Sequence, residues 1–373
     1  MAGTAGGLTR ATGSGIGKNG TAPRQEIPLP STAMEIRAYA IRQRGGAATP
    51  FVYHGTIGPH DVLVRLTHRS ITRGDTQFID DDWGDTRFPL VPSHEMAGHV
   101  EETGRAVAGL TRGDRVGIGF QLGACFECSF CRQGLEQFCL DQTVVGVNAF
   151  GGLADRVVVD GRFAFPLPSA LDSARTTPLM SSGLTVYSAI SHARLPSDSR
   201  VAVLGIGGLG RLALRFLRAM EHRVSAFSRS PGKAALIRRL GADYIDGSDA
   251  SALGAHRSAF DFILSTLNVP FDLDPYLRML RPEGRFCFVA APLEPLSLRA
   301  GLLYDYGRRG IYGSYVGSRS DAVRMLAFAA QHDVLPEVEV MPFSDPNDAI
   351  ARVRGREMET ALVLESLVGP SAV

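Results

Sequence analysis

Two patterns of apolar and polar positions divide the chain. Asp61-Val62-Leu63-Val64-Arg65-Leu66-Thr67 alternates well enough for a half-buried strand. The whole stretch 34–184 is strand-rich and broken by turn signals such as Gly58-Pro59 and Arg112-Gly113-Asp114. From about residue 185 the pattern changes. Strands are predicted at Arg200–Leu204, Arg223–Phe227, Phe260–Ser265 and Arg285–Ala290, and helices at Leu209–Met220 and Pro231–Leu240. Strands that alternate with helices imply a parallel sheet covered on both faces, so 185–318 is predicted to be a doubly wound α/β domain. Residues 319–373 return to mixed character and are expected to rejoin the first domain.

Residues 1–33 show no apolar periodicity and are rich in Gly, Thr, Ser and Pro, which predicts a flexible leader, either a natural arm or a remnant of expression. It lacks the apolar core of a secretory signal, so a cytoplasmic location is expected. A net charge of +1 gives no reason to expect nucleic acid or an acidic membrane as partner, and no unbroken apolar run is long enough for a membrane span. At 373 residues the chain can bury two cores.

Val201-Ala202-Val203-Leu204 runs straight into Gly205-Ile206-Gly207-Gly208-Leu209-Gly210, and a helix follows. This context turns a weak motif into a strong one for a dinucleotide. Gly205 permits the tight turn, Gly207 lets the backbone approach a pyrophosphate, and Gly210 lets helix and strand pack closely. Gly208 and Leu209 open the helix, whose free N–H groups face the phosphates. The second strand ends in Ser228-Arg229-Ser230-Pro231-Gly232-Lys233. An NAD site usually carries an acid here for the ribose 2′-hydroxyl. Two hydroxyls and two cations suit a 2′-phosphate instead, so NADPH is the expected cofactor. The competing reading is a solvated helix start capped by Ser230.

Cys125, Cys128, Cys131 and Cys139 make C-x2-C-x2-C-x7-C. Four thiolates so spaced can close a tetrahedral site with no open position, the mark of one structural zinc per chain. The fifth cysteine, Cys287, lies in an apolar strand and reads as core.

The four-cysteine lobe after Gly113-Asp114-Arg115-Val116, the glycine turn, Pro92-Ser93-His94-Glu95 and Gly313-Ser314-Tyr315-Val316-Gly317 together resemble the zinc-containing medium-chain dehydrogenases, in the branch of cinnamyl alcohol dehydrogenase. The resemblance covers roughly residues 35–365. It implies a GroES-like β-barrel catalytic domain built from both chain ends, a Rossmann domain between them, a small-molecule substrate and a homodimer. It also implies that Gly313 and Ser314 lie on the nicotinamide side of the cofactor site.

The departures from the family pattern shape the functional expectation. Thr72 stands where the first catalytic zinc ligand belongs and Ser181 where the third does, leaving His94 as the one matching ligand, with Glu95 beside it. Gly74 replaces the hydroxyl residue of the proton relay, and Gln77 stands where a relay histidine is expected. Neutral hydroxyls are poor zinc ligands, so the expectation is a reductase without catalytic zinc. Such an enzyme would act on acceptors that bring their own electrophilicity, a conjugated C=C or a C=N bond. Thr72, His94 and Ser181 are then the candidate catalytic groups. Asp75 reads as a structural hydrogen-bonder, Tyr187 as core, and Asp80-Asp81-Asp82-Trp83 as either the pocket mouth or a plain turn. Two alternatives stay open: a zinc alcohol dehydrogenase with an atypical site in which Glu95 recruits the metal with His94, and a non-catalytic NADPH-binding protein.

Overall fold

The computed structural model describes residues 33–290, 292–305, 307–355 and 360–366. The expected leader therefore lies outside the described residues, apart from Ala33.

A sheet of seven strands dominates the first half. Its path runs Val338–Pro342, Ala361–Glu365, Asp61–Ile71, Met96–Thr103, Arg115–Ile118, Ala164–Pro166, and Arg156–Asp160 pairs with the long Asp61–Ile71 strand. Ala361–Glu365 runs antiparallel to Asp61–Ile71, so strands from the two ends of the described chain share one sheet. The Asp61 strand continues to Ile71, beyond the alternating run that announced it. Arg69 explains why it can. This residue is fully buried, and its guanidinium donates to the carbonyls of Leu66, Gly152 and Ala154 and to Ser366 Oγ. It also lies 4.1 Å from the Phe343 ring centroid.

The second sheet has six parallel strands in the order Asp243–Asp246, Arg223–Ser228, Arg200–Leu204, Phe260–Ser265, Leu280–Phe288, Gly310–Gly313. Strand order reverses beside Arg200–Leu204, and ligands bind at the carboxyl ends of strands at such a point. Val201 and Val203 turn to a core shared with the helices Ser182–Ala193, Gly208–Ala219 and Arg319–His332, while Ala202 and Leu204 face the opposite layer. Two expectations change. The strand expected at Arg285–Ala290 spans Leu280–Phe288, because Arg281-Pro282-Glu283-Gly284 reads as a turn but forms an irregularity between the Phe260–Leu280 and Phe262–Arg285 pairs. The helix expected at Pro231–Leu240 opens as a single 3-10 turn, Pro231–Lys233, before its α-helical part, Ala234–Arg239. Among the described residues no helix is long and apolar enough to cross a membrane.

Arg69→Met keeps the volume but takes the guanidinium donors from three buried carbonyls and from Ser366. It should cost about 3 kcal/mol or more in chemical denaturation.

Candidate active site

Thr72 ends the long Asp61–Ile71 strand and caps the helix Arg73–Ile79. Its backbone N–H and Oγ1 both donate to Asp75 Oδ2, at 2.8 and 2.9 Å, and its Oγ1 accepts from Asp75 N at 3.3 Å. This reciprocal cap fixes the Asp75 carboxylate. Asp75 Oδ1 accepts two further bonds at 2.8 Å, from Ser93 N and from His94 Nδ1. Ser93 has φ of 76°, a conformation a non-glycine residue holds only when its surroundings impose it. The bond to Asp75 and the bond that Gly152 N donates to Ser93 O supply that constraint. The turn aims the far nitrogen of His94, Nε2, at Thr72 Oγ1, 3.5 Å away.

Glu95 is fully buried beneath this group. Its two oxygens accept from Ser70 Oγ and, at 2.7 Å, from Ser182 N. That second bond draws in Ser181, which is buried at the start of the Ser182–Ala193 helix. Among the described residues Ser181 has no hydrogen bond to Thr72 or His94. Of the three candidate catalytic residues, then, the structure joins Thr72 to His94 directly and brings Ser181 in through its neighbour. Gly74 lies against the imidazole: a Cβ there would stand 3.0 Å from His94 Cε1 and 3.5 Å from Nε2.

The electrostatics follow from burial and these bonds. Burial alone would push the His94 pKa down, but the Asp75 charge and hydrogen bond, with help from the Glu95 charge, push it up to about 8. Burial would raise Asp75, yet His94 and the bonds from Thr72 hold it below the usual carboxylate range. Glu95 goes the other way, raised by its burial against the opposing pull of His94, Ser182 and Ser70. His94 thus sits beside Thr72 with Nδ1 on a buried carboxylate, an arrangement that favours the charged form of both. The donor set is poor for a catalytic zinc: Thr72 and Ser181 are neutral hydroxyls and both Glu95 oxygens are engaged, which leaves His94 Nε2 as the one ligand of the usual kind.

Four aromatic rings lead away from His94. Phe120 lies edge-on to it at 6.0 Å and Phe78 at 6.5 Å. The exposed Trp83 ring meets Phe78 at 4.8 Å, and the exposed Tyr315 ring meets Phe120 at 6.5 Å. The sequence reading missed this wall except for Trp83, since its members come from three separate segments. Tyr187 packs in the core against Phe216 and Phe328.

The glycine turn lies at the carboxyl end of Arg200–Leu204. Gly205 has φ of 85°, and Thr266 Oγ1 donates to its carbonyl at 2.7 Å. A Cβ on Gly210 would fall 2.0 Å from that same carbonyl oxygen, so helix and turn can meet only at glycine. Gly207 and Gly208 are exposed and Leu209 half-buried, at the head of the Gly208–Ala219 helix. Lys233 Nζ donates to Ile206 O at 3.0 Å, which brings it to the turn from the next βα unit. Ser228 is buried at its strand end and accepts from Ser230 N at 3.1 Å, while Arg229 and Ser230 are exposed. Ser230 makes no side-chain cap bond, contrary to the capping alternative. Gly313 ends the edge strand, and Ser314 N donates to Phe288 O at 2.8 Å, at the same end of the sheet as the glycine turn.

The sulfurs of Cys125, Cys128, Cys131 and Cys139 all lie within 4.8 Å of one another, with Cys125 at 3.5 Å from Cys139 and 3.9 Å from Cys131. Sulfurs around a tetrahedral zinc stand ~3.8 Å apart, so the four fit the metal. Backbone N–H groups of Cys125, Cys128 and Cys131 each point at a sulfur of the set, as thiolates require. Cys287 is fully buried in the Leu280–Phe288 strand, well apart in sequence from this lobe.

Comparison with known proteins agrees with this architecture. Residues 58–169 match the alcohol dehydrogenase GroES-like domain, and residues 208–331 match the zinc-binding dehydrogenase domain. Over 331 residues the chain is 37% identical to aldehyde reductase AdhA of Synechocystis sp., covering 88% of this chain and 98% of that protein. A cinnamyl alcohol dehydrogenase from Sorghum bicolor superimposes with a TM-score of 0.85 at 31% identity, covering 89% of this chain and 98% of that one. CAD from Helicobacter pylori, complexed with NADP(H), does so with a TM-score of 0.82 at 25% identity and the same coverage.

Purified protein should hold about one zinc per chain by elemental analysis, and Cys128→Ser should lose it together with thermal stability. Asp75→Asn should move the His94 titration, followed by NMR, down from about 8. The stability that His94 gains from its pairing is full below its unfolded pKa of ~6.5 and is lost as pH rises through about 8. Unfolding midpoints should show that loss in the wild type and not in the variant.

Proposed function

The chain belongs to the zinc-type medium-chain dehydrogenase/reductase superfamily, in its cinnamyl alcohol dehydrogenase-like branch, and we propose that it is an NADPH-dependent reductase of activated C=C or C=N bonds that works without a catalytic zinc. The observation that supports this reading is the contact chain Asp75–His94–Thr72, which ties the one retained ligand of the resemblance to a neutral hydroxyl where the first ligand is expected.

The residues fit the cofactor. The exposed backbone of Gly207 and Gly208 leaves room for a pyrophosphate, and nothing lies within 4 Å of the Cβ that either would carry. Ser228, Arg229, Ser230 and Lys233 surround the place of a 2′-phosphate, a role in keeping with the NADP(H) bound by the Helicobacter pylori relative. Gly313 and Ser314 border the nicotinamide. When bound, NADPH supplies a hydride to the acceptor carbon.

The chain's own groups then handle the charge left on the acceptor. In a conjugated enal or enone, hydride arrives at the β-carbon and negative charge collects on the carbonyl oxygen. His94 Nε2–H and the Ser181 hydroxyl are the donors for that oxygen, and Thr72, whose own proton goes to Asp75, holds that carboxylate against the imidazole. Asp75 holds the imidazole by Nδ1 and stabilises its positive charge, so the proton on Nε2 faces the substrate. An iminium becomes a neutral amine on reduction and needs less of this help. The aromatic wall shields one side of the site from water and offers flat surface to a conjugated acceptor. A homodimer acting on a small molecule in the cytoplasm completes the proposal. The competing reading is zinc-assisted aldehyde reduction, which the name of the Synechocystis relative favours.

Product analysis with deuterated NADPH and a chelator present separates the two. The label should appear on the β-carbon of an enone or the former iminium carbon, with turnover unaffected by chelation. Label on the carbinol carbon of a simple alcohol, abolished by chelation in folded protein, would overturn the proposal. Ser181→Ala and Thr72→Ala should slow enone reduction more than iminium reduction. Enone turnover should fall as pH rises through about 8, where His94 loses its proton. Arg229→Ala combined with Lys233→Ala should erode the preference for NADPH over NADH in binding titrations.

A further inference from the structure

Arg319 joins two parts of the molecule that lie far apart in sequence. It is the first residue of the Arg319–His332 helix and directly follows Ser318, the residue that caps it. Its guanidinium reaches away from the helix into the four-cysteine lobe. A terminal nitrogen donates there to Glu136 Oε1 at 3.2 Å, and Nε donates to Arg162 O at 2.8 Å, in the turn between the Arg156–Asp160 and Ala164–Pro166 strands of the seven-stranded sheet. The Phe126 and Phe163 rings lie 5.3 and 5.8 Å from it. Both lobe partners are set by the metal ligands. Phe126 follows Cys125 and is held at φ of 59°, and Glu136 precedes Cys139 by three residues. Glu136 is buried, and its second oxygen has no hydrogen-bond partner, so Arg319 is what compensates its charge.

On its other side Arg319 ends the segment Gly313–Ser318. Ser314 N ties the start of this segment to Phe288 O. Ser318 ties its end, through Asp321, to Ser188 and His192 of the Ser182–Ala193 helix. Gly317 packs so closely on that helix that a Cβ would fall 2.7 Å from Leu184. Between these ties Val316 holds φ of 32°, an unfavourable value for a β-branched residue that persists only where both flanks are fixed.

We propose that Arg319 is a positioning residue that fastens Gly313–Ser318 to the metal-binding lobe, so that filling the four-cysteine site raises affinity for the nicotinamide cofactor at a distance. The affinity part rests on the reading above, that this segment borders the nicotinamide. The fastening itself does not. Metal holds the lobe in shape, the lobe presents Glu136 and Phe126, and Arg319 carries that constraint to the helix start and the strained segment before it. A thiol oxidant that displaced the metal would then loosen cofactor binding without touching the glycine turn.

The test compares wild type, Arg319→Ala, Arg319→Lys and Glu136→Gln by zinc content, by NADPH titration and by hydrogen exchange of peptides spanning 314–322. Arg319→Ala should keep its zinc, exchange faster across 314–322, and bind NADPH about tenfold more weakly. KM for NADPH should rise while kcat changes less. Lysine keeps the charge without the planar fork and should restore part of the effect. Stripping zinc from the wild type should reproduce the loss, and stripping it from Arg319→Ala should add little. Where stripping unfolds the protein, the Arg319/Glu136 double-mutant cycle decides: non-additive effects on exchange support the proposal and additive ones overturn it. Wild-type exchange in Arg319→Ala overturns it whatever NADPH does, as does unchanged NADPH affinity in folded, zinc-free wild type. Faster exchange in a protein whose wild type binds no NADPH would leave the fastening standing and overturn the cofactor reading.

Discussion

Much of the site hangs on one buried carboxylate. Asp75 accepts hydrogen bonds from Thr72 N, Thr72 Oγ1, Ser93 N and His94 Nδ1, and so caps a helix, pins a strained turn and orients an imidazole at once. A charge this deep needs a partner of opposite sign. The partner is His94, and the demand is mutual: the imidazole draws Asp75 toward its ionised form, and Asp75 draws the imidazole toward its protonated form. A positive centre thereby stands close to where the resemblance places a metal. It differs from a metal in carrying a transferable proton and in having only one free direction, from Nε2 toward Thr72.

The second organising constraint is the distance between chemistry and metal. In this chain the four cysteines form a compact lobe, and the segment after the edge strand reaches the neighbourhood of His94 through the Tyr315 and Phe120 rings. Along the chain the lobe and the Gly313–Ser318 segment lie far apart, yet Arg319 bridges them with one side chain. The closed ligand set suits this arrangement, since a metal without an open position can act only through the shape it imposes.

Local chemistry was legible in the sequence, and long-range pairing was not. The cysteines and the glycine turn announce themselves because their partners lie within a few residues. The parallel sheet was legible from alternation, but Leu280–Phe288 was cut short because a proline and a glycine hide an irregular pairing with a neighbouring strand. Thr72, His94 and Ser181 could be singled out only through resemblance. The pairing that defines their chemistry joins Asp75 to a residue nineteen positions away, across the turn from helix to strand, and no spacing rule signals it. The aromatic wall escaped for the same reason, being assembled from Phe78, Trp83, Phe120 and Tyr315. Lys233 was placed by its chemistry, but its contact with Ile206 O depends on how two βα units pack.

Gly74 sets how closely the start of its helix can approach the imidazole. A Cβ at that position would stand 3.0 Å from His94 Cε1, so the ring or the helix start would have to give by a few tenths of an ångström. The bare α-carbon at 74 therefore sets a clearance: the imidazole keeps its bond to Asp75 because nothing larger than hydrogen stands against its edge.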